Sequence, residues 1–256
     1  TSPLSRYFLR GAVNRSAYCS VREPGSVAKL REIGCTRPIP VVPDLAFRLR
    51  PAAGGKRPRT VIGVAPMSYL RPGVWPVADS ELHRTMVRQW IGLVGRRLGR
   101  GETVCLFVTS PSDEVVVDEI WAELAPAAGE RLQRCRLATI EKHLALMDSL
   151  RLVVASRLHG VVLALAAERP VVALSFERKV EAAMLDAGME RFCVGLGESN
   201  AEVWDNLIDR AIADEARVGA QVSSRVAGWR AELETYRGLL PALIADHRTK
   251  TVGALD

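Results

Sequence analysis

The stretch from Leu152 to Lys179 constrains the fold more than any other part of the chain. Leu152 to Ser156 is a short apolar run rich in β-branched residues, and Val171 to Ser175 is a second. Between them, Val161 to Ala167 is too apolar for a helix with a wet face. Apolar runs of this length without polar alternation read as strands covered on both faces, so the order is strand, tight turn, buried helix and second strand. That is a βαβ unit, and it predicts a parallel sheet.

Arg157, His159 and Gly160 stand between the first strand and the helix. The first N–H groups of a helix have no intrahelical partner, and they point with the positive dipole end at whatever occupies the carboxyl edge of the strand. An anion belongs there. Arg157 adds a planar, permanently charged fork suited to phosphate or carboxylate, and His159 adds a group able to give or take a proton near neutral pH. Lys179, just past the second strand, emerges on the same edge. Any one of these alone is ordinarily a cap or a structural hydrogen-bonder. Together on one edge of a parallel sheet they read as an anion site with a proton donor.

The rest of the chain alternates strands and helices. Leu4 to Val13 reads as a helix, Ala17 to Val21 as a strand, and Pro24 opens a helix that Gly34 stops. Ile39 to Val42 reads as the next strand, so Arg22 stands at a strand end before a helix, as Arg157 does. An ion pair with Glu23 or another local carboxylate is the ordinary role for an arginine there. Pro51 to Arg59, with Gly-Gly and three basic residues, marks a linker and a domain boundary. Thr60 to Ala65 opens a new sheet, followed by a loop from Pro66 to Pro76 in which Trp75 could stack on a sugar face, although a loop tryptophan more commonly packs on its own domain. A helix with Leu82, Met86, Trp90, Leu93, Val94 and Leu98 at helical spacing follows, capped by Asp79 or Ser80. Thr103 to Thr109 is a strand, and Asp113 in Ser110-Pro-Ser-Asp-Glu114 stands where it could face the cleft, although capping explains it without a function. Thr139 opens a further helix on which His143, beside charged residues, is expected to be exposed. After the βαβ unit come a short strand near Phe192 to Val194 and two amphipathic helices. These carry Trp204, Leu207 and Ile208, then Val226, Trp229, Leu233, Tyr236 and Leu240. The expected divisions are 1–57, the end of a first α/β domain with its linker; 58–200, a second α/β domain; and 201–256, C-terminal helices expected to pack back across the first domain.

Composition narrows the function classes. At 256 residues, 48% hydrophobic and 25% charged, the chain is in the range of a globular protein with one large or two modest domains. No apolar run approaches the roughly 18 residues that span a bilayer, and the start lacks a signal-peptide pattern. A cytoplasmic protein is expected. The five cysteines are odd in number and widely spaced without a C-x-x-C pair, so neither a metal site nor a disulfide framework is signalled. The net charge of +6 suits a phosphate-bearing substrate, while only 5% aromatic residues and the absence of a basic stripe argue against nucleic acid. The cluster Lys56-Arg-Pro-Arg59 reads as solvated linker. The chain begins with Thr rather than Met, which reads as a processed or cut product.

Ser156-Arg-Leu-His-Gly160, the apolar helix after it, the x-Pro-Val-Val strand and the Ser-Phe-Glu-Arg-Lys-Val segment ending at Val180 resemble the signature of the polysaccharide pyruvyl transferase family. So does Tyr18-Cys-Ser-Val-Arg-Glu-Pro-Gly-Ser26, with Gly34 and Val42-Pro-Asp44 behind it. The resemblance runs to about Leu196. It implies an α/β, GT-B-like fold in which a Rossmann-like second domain follows the C-terminal part of a first. It also implies transfer of the enolpyruvyl unit of phosphoenolpyruvate to two sugar hydroxyls as a cyclic ketal, in cell-surface polysaccharide or glycolipid synthesis. Arg22, Arg157 and Lys179 would bind phosphoenolpyruvate and His159 would be the acid. No metal or cofactor is required. The partners implied are the donor and a saccharide or lipid-linked saccharide acceptor, the latter bringing the enzyme to a membrane surface. Acceptor residues are not identified. The chain departs from the family in lacking the Gly/Asn/Asp-rich opening of the first half, and in having Arg151 where an acidic residue commonly stands. The alternatives are a glycosyltransferase using a nucleotide sugar, against which no Gly-rich diphosphate loop follows Val64, and a truncated, non-catalytic relative.

Overall fold

A computed structural model describes the backbone of residues 2–51 and 59–252, with side chains over 2–51, 59–239 and at 241. The interior of the expected linker, including Lys56, and the side chain of Leu240 lie outside the described residues. The chain divides into two compact units, one formed by Thr1–Arg48 with Ala227–Asp256 and the other by Leu49–Val226.

In the first unit, helix α1 (Pro3–Arg15) is capped by the Ser2 hydroxyl, which accepts from the Ser5 N–H, and has Pro3 in its first turn. Helix α2 (Pro24–Glu32) ends as the sequence predicts: Gly34 takes φ +87°, Cys35 N–H reaches Leu30 C=O at 3.0 Å and Gly34 N–H reaches Arg31 C=O at 2.9 Å. The left-handed residue lets the chain turn back and satisfy the orphan carbonyls. Val13, Cys35 and Ile39 form a small core against which Cys19, Val21, Val27, Leu30 and Ile33 pack. The strands expected at Ala17 to Val21 and Ile39 to Val42 are reduced to one parallel bridge, Val21 with Val41. Val21 N–H donates to Pro40 C=O at 3.1 Å and Val42 N–H to Val21 C=O at 2.8 Å. Pro38, Pro40 and Pro43 carry no N–H, so this segment cannot extend a ladder.

The second unit holds six parallel strands: β1 (Val61–Ala65), β2 (Thr103–Leu106), β3 (Leu132–Arg134), β4 (Leu150–Ala155), β5 (Val171–Ser175) and β6 (Cys193–Gly195). Their spatial order is β3-β2-β1-β4-β5-β6, every neighbouring pair parallel. The helices of this unit are α3 (Ser80–Gly99), α4 (Glu114–Ala128), α5 (Ile140–Ser149), α6 (Leu158–Ala166), α7 (Arg178–Asp186) and α8 (Ala201–Ala213). The sheet interior is dry: Val153, Val154, Ala155 and Val171 to Leu174 have no exposed surface. In α6 every side chain except that of His159 is buried. The long helix α9 (Glu215–Val252) begins in this unit and, from Ala227, belongs to the other.

The boundary between units runs through the segment expected as C-terminal helices. Helix α8 lies against α3 and β5, where the Trp204 and Trp90 rings sit 5.1 Å apart and both are fully buried. Buried Arg97 pins the same interface through Asp209 Oδ1 at 2.7 Å, while Arg100 reaches Asp205 Oδ2 at 2.7 Å. Further along α9, Trp229 stacks on Phe47 with ring centres 4.1 Å apart, and Arg230 Nε donates to Phe47 C=O at 3.0 Å. The cysteines are closer than their spacing implies. Cys105 and Cys135 face each other at 2.9 Å between sulfurs, and the hydrogen bond from Cys105 lowers the Cys135 thiol to about 7.

A Cβ built on Gly63, in the middle of β1, would stand 2.3 Å from Leu150 Cδ1 and 3.2 Å from Phe107 Cε1. Leu150 has no exposed surface and little room to yield. Gly63→Ala should therefore destabilise the unit by about 1–3 kcal/mol, through overpacking. Urea unfolding of the variant checks this; an unchanged midpoint would show that the sheet tolerates the methyl group.

Candidate active site

Where the strand order reverses, β1 and β4 are neighbours whose following loops leave in opposite directions, and open α/β sheets bind ligands in that crevice. Helix α6 starts above it. A Cβ on Gly160 would meet Ala155 Cβ at 3.0 Å, with Thr109 Cγ2 at 3.9 Å and Ala65 Cβ at 4.0 Å in ordinary contact. Glycine thus lets the helix start settle onto the ends of β1 and β4.

Arg157 is the N-cap residue of α6 and makes no capping bond with its side chain, which is instead turned to Asp113. Its Nε donates to Asp113 Oδ2 and its Nη2 to Asp113 Oδ1 at 2.8 Å, with Ser112 Oγ at 3.3 Å from Nη2. Hydrogen bonding to Asp113 raises the guanidinium above its already high ordinary pKa, so Arg157 stays charged throughout the working range. His159 is exposed in the first turn of α6. Lys179 lies in the first turn of α7 with its side chain 58% exposed and its Nζ 3.6 Å from Glu177 Oε2. Arg157, His159 and Lys179 thus share the carboxyl edge of β4 and β5. Arg22 belongs to the other unit, where its Nη1 donates to Asp44 Oδ2 at 2.6 Å, the local ion pair expected of an arginine in that place.

Two expectations change. Asp113, read as a helix cap, makes no side-chain capping bond; its carboxylate is buried and accepts from Ser68 N–H at 2.9 Å, Ser68 Oγ at 2.8 Å and Arg157. The cap is not needed because a short 3-10 turn, Pro111–Asp113, already leads into α4. His143, expected exposed, is half-buried, with Nδ1 3.0 Å from Thr139 C=O and Nε2 3.1 Å from Val108 C=O. Ser68, which no sequence pattern singles out, is fully buried at the centre of the cluster. Its only advance signal is its place just after a buried strand.

Trp75 donates its indole N–H to Ser68 C=O at 2.6 Å and meets Phe176 edge-on at 5.4 Å and Tyr69 at 5.6 Å. The β1 loop, Ala65-Pro-Met-Ser-Tyr69, has no glycine-rich turn. Among the described residues no group of three or more His, Cys, Asp or Glu could hold a metal, and no helix is long and apolar enough to cross a membrane.

Three solved structures are similar in fold. TarM aligns with a TM-score of 0.57 at 11% identity, over 92% of this chain and 46% of that one. Sucrose-phosphate synthase from Thermosynechococcus elongatus aligns at 0.56 and 15% identity, over 96% and 63%. HepE from Anabaena, solved in complex with UDP-glucose, aligns at 0.53 and 16% identity, over 93% and 70%. This chain therefore spans about half to two thirds of the first two, and shares with them an α/β, GT-B-like fold. No curated relative matches the sequence significantly.

The Ser-Arg-Leu-His-Gly turn that builds the cationic start of α6 lies within a longer match. The family model for polysaccharide pyruvyl transferase covers residues 1–178, taking in Arg22, Arg157 and His159 and ending one residue before Lys179, and on that match the chain belongs to the polysaccharide pyruvyl transferase family.

Proposed function

We propose that the protein transfers the enolpyruvyl unit of phosphoenolpyruvate to a saccharide as a pyruvate ketal, in the synthesis of a cell-surface polysaccharide or glycolipid. The observation that carries this reading is the start of α6: a permanently charged guanidinium and an exposed imidazole two residues apart, at the positive end of a helix whose other side chains are all buried. A donor with a carboxylate and a phosphate asks for cationic groups, each charge-assisted hydrogen bond contributing about 1.5–3 kcal/mol. Arg157, Lys179 and Arg22 are the residues assigned to this task.

In the reaction, His159 delivers a proton to the methylene carbon of phosphoenolpyruvate, which becomes the methyl group. Carbon 2 then accepts one sugar hydroxyl oxygen, loses the phosphate with the electrons of its C–O bond, and accepts a second hydroxyl oxygen. Of the two hydroxyl protons, one replaces the proton spent by His159 and the other leaves with the phosphate. The protein supplies binding, orientation and proton transfer, and the balance needs no metal or redox cofactor. The reaction takes place in the cytoplasm, with the acceptor free or lipid-linked; a lipid-linked one would bring the enzyme to a membrane surface.

The second reading, a glycosyltransferase using a nucleotide sugar, is favoured by the fold similarity to HepE and opposed by the β1 loop, which offers no glycine-rich cradle for a diphosphate. The deciding experiment incubates the protein with phosphoenolpyruvate and a panel of galactosides, glucosides and mannosides. Phosphate release with a saccharide mass gain matching a pyruvate ketal is expected. Turnover of a nucleotide sugar with phosphoenolpyruvate left untouched would replace this reading by the second.

A further inference from the structure

The geometry points to Asp113 as a positioning residue that sets which edge of the Arg157 guanidinium meets substrate, with Ser68 holding Asp113 in turn. The inference rests on the proposed anion-binding role of Arg157. An arginine offers carboxylates and phosphates either its side-on edge, Nε with one Nη, or its end-on pair. Here Asp113 takes the side-on edge through both carboxylate oxygens, and the remaining N–H of Nη2 faces Ser112 Oγ. Among the described residues Nη1 has no hydrogen-bond partner, and a quarter of the side chain is exposed. The anion is therefore met at the end-on side of the guanidinium, where Nη1 is held by no described group and Nη2 only by Ser112 Oγ at 3.3 Å.

Asp113 can impose this because it has no freedom of its own. Its side chain is 1% exposed, and Oδ1 accepts from both the backbone N–H and the hydroxyl of Ser68, itself fully buried. The Ser68 carbonyl is in turn fixed by the Trp75 indole at 2.6 Å. Loops following β1, β2 and β4 are thus tied into one clasp at the strand-order reversal. A buried carboxylate with four hydrogen bonds is satisfied as an ion and costs little to keep there, whereas an isolated one would be expensive.

The positioning role and simple charge predict opposite signs. Removing a negative charge beside Arg157 would, by Coulomb's law alone, tighten an anion. A positioning role predicts the reverse, because an amide can no longer accept from both Nε and Nη2 and the guanidinium loses its fixed edge. Asp113→Asn is expected to raise the KM for phosphoenolpyruvate about tenfold or more with a smaller change in kcat, the pattern of lost uniform binding. Ser68→Ala, which keeps the backbone bond, is expected to move KM the same way by less. The double variant Asp113→Asn/Arg157→Lys should bind no more weakly than Arg157→Lys alone, since residues acting through one another are not additive. A ¹⁵N-edited spectrum should show the Arg157 Nε–H signal protected in the parent and lost in Asp113→Asn.

Tighter phosphoenolpyruvate binding by Asp113→Asn, or additive losses in the double variant, would overturn the inference. So would an unprotected Nε–H in the parent, a readout that needs no substrate. If Asp113→Asn fails to fold, Ser68→Ala decides by the same KM shift. If the parent binds no phosphoenolpyruvate, the proposed function fails, and the same comparison made with inorganic phosphate still judges the clasp: weaker binding by Asp113→Asn supports it and tighter binding ends it.

Discussion

Replacing His159 by Gln should lower the turnover of phosphoenolpyruvate by about 10²–10⁴-fold while its dissociation constant changes far less. That is the usual contribution of a positioned acid, and it is lost in the transition state rather than in the ground state. Stability should not move, because the His159 side chain is exposed and makes no hydrogen bond or ion pair among the described residues, while the apolar helix behind it is untouched. Steady-state kinetics together with a titration separate the two effects. Retained turnover with collapsed binding would make His159 an anion ligand, and the proton donor would have to be sought elsewhere on the carboxyl edge.

Arg157→Lys should weaken phosphoenolpyruvate binding by about 10–100-fold although the charge is kept. A lysine cannot satisfy both oxygens of Asp113 and also present a second pair of N–H groups outward, and each charge-assisted bond forgone contributes about 1.5–3 kcal/mol. Some loss of stability should accompany it, because Asp113 is buried and would be left partly unpaired. Calorimetric titration of parent and variant checks the first effect and thermal unfolding the second. Unchanged affinity would remove Arg157 from the site.

The sheet was legible because its signal is local. The buried strand Val171 to Ser175 matches β5 residue for residue, and Asp79 caps α3 through Glu81 N–H and Leu82 N–H, since apolar runs and caps need only near neighbours. The same held for Arg157 and His159, fixed at a helix start by the few residues around them. In the first unit locality misled. Ala17 to Val21 and Ile39 to Val42 have the composition of strands, yet a strand exists only through its neighbour, and Pro38, Pro40 and Pro43 remove donors that the second segment would need.

What the sequence by itself determined is therefore the βαβ unit, the parallel sheet and the cationic residues on its edge. Periodicity and chain order specify those without reference to distant residues. What only the tertiary structure decided is which groups meet across loops. Asp113 stands 44 residues from Arg157 and 45 from Ser68, and Cys105 lies 30 residues from Cys135. Hydrogen bonds of that kind leave no periodic trace. Asp113 is equally suited to capping the helix beside it and to holding an arginine on another loop. Burial beside the reversal of strand order selects the second role, because a carboxylate shut away from water must be paired with a cation and hydrogen-bonded on both oxygens.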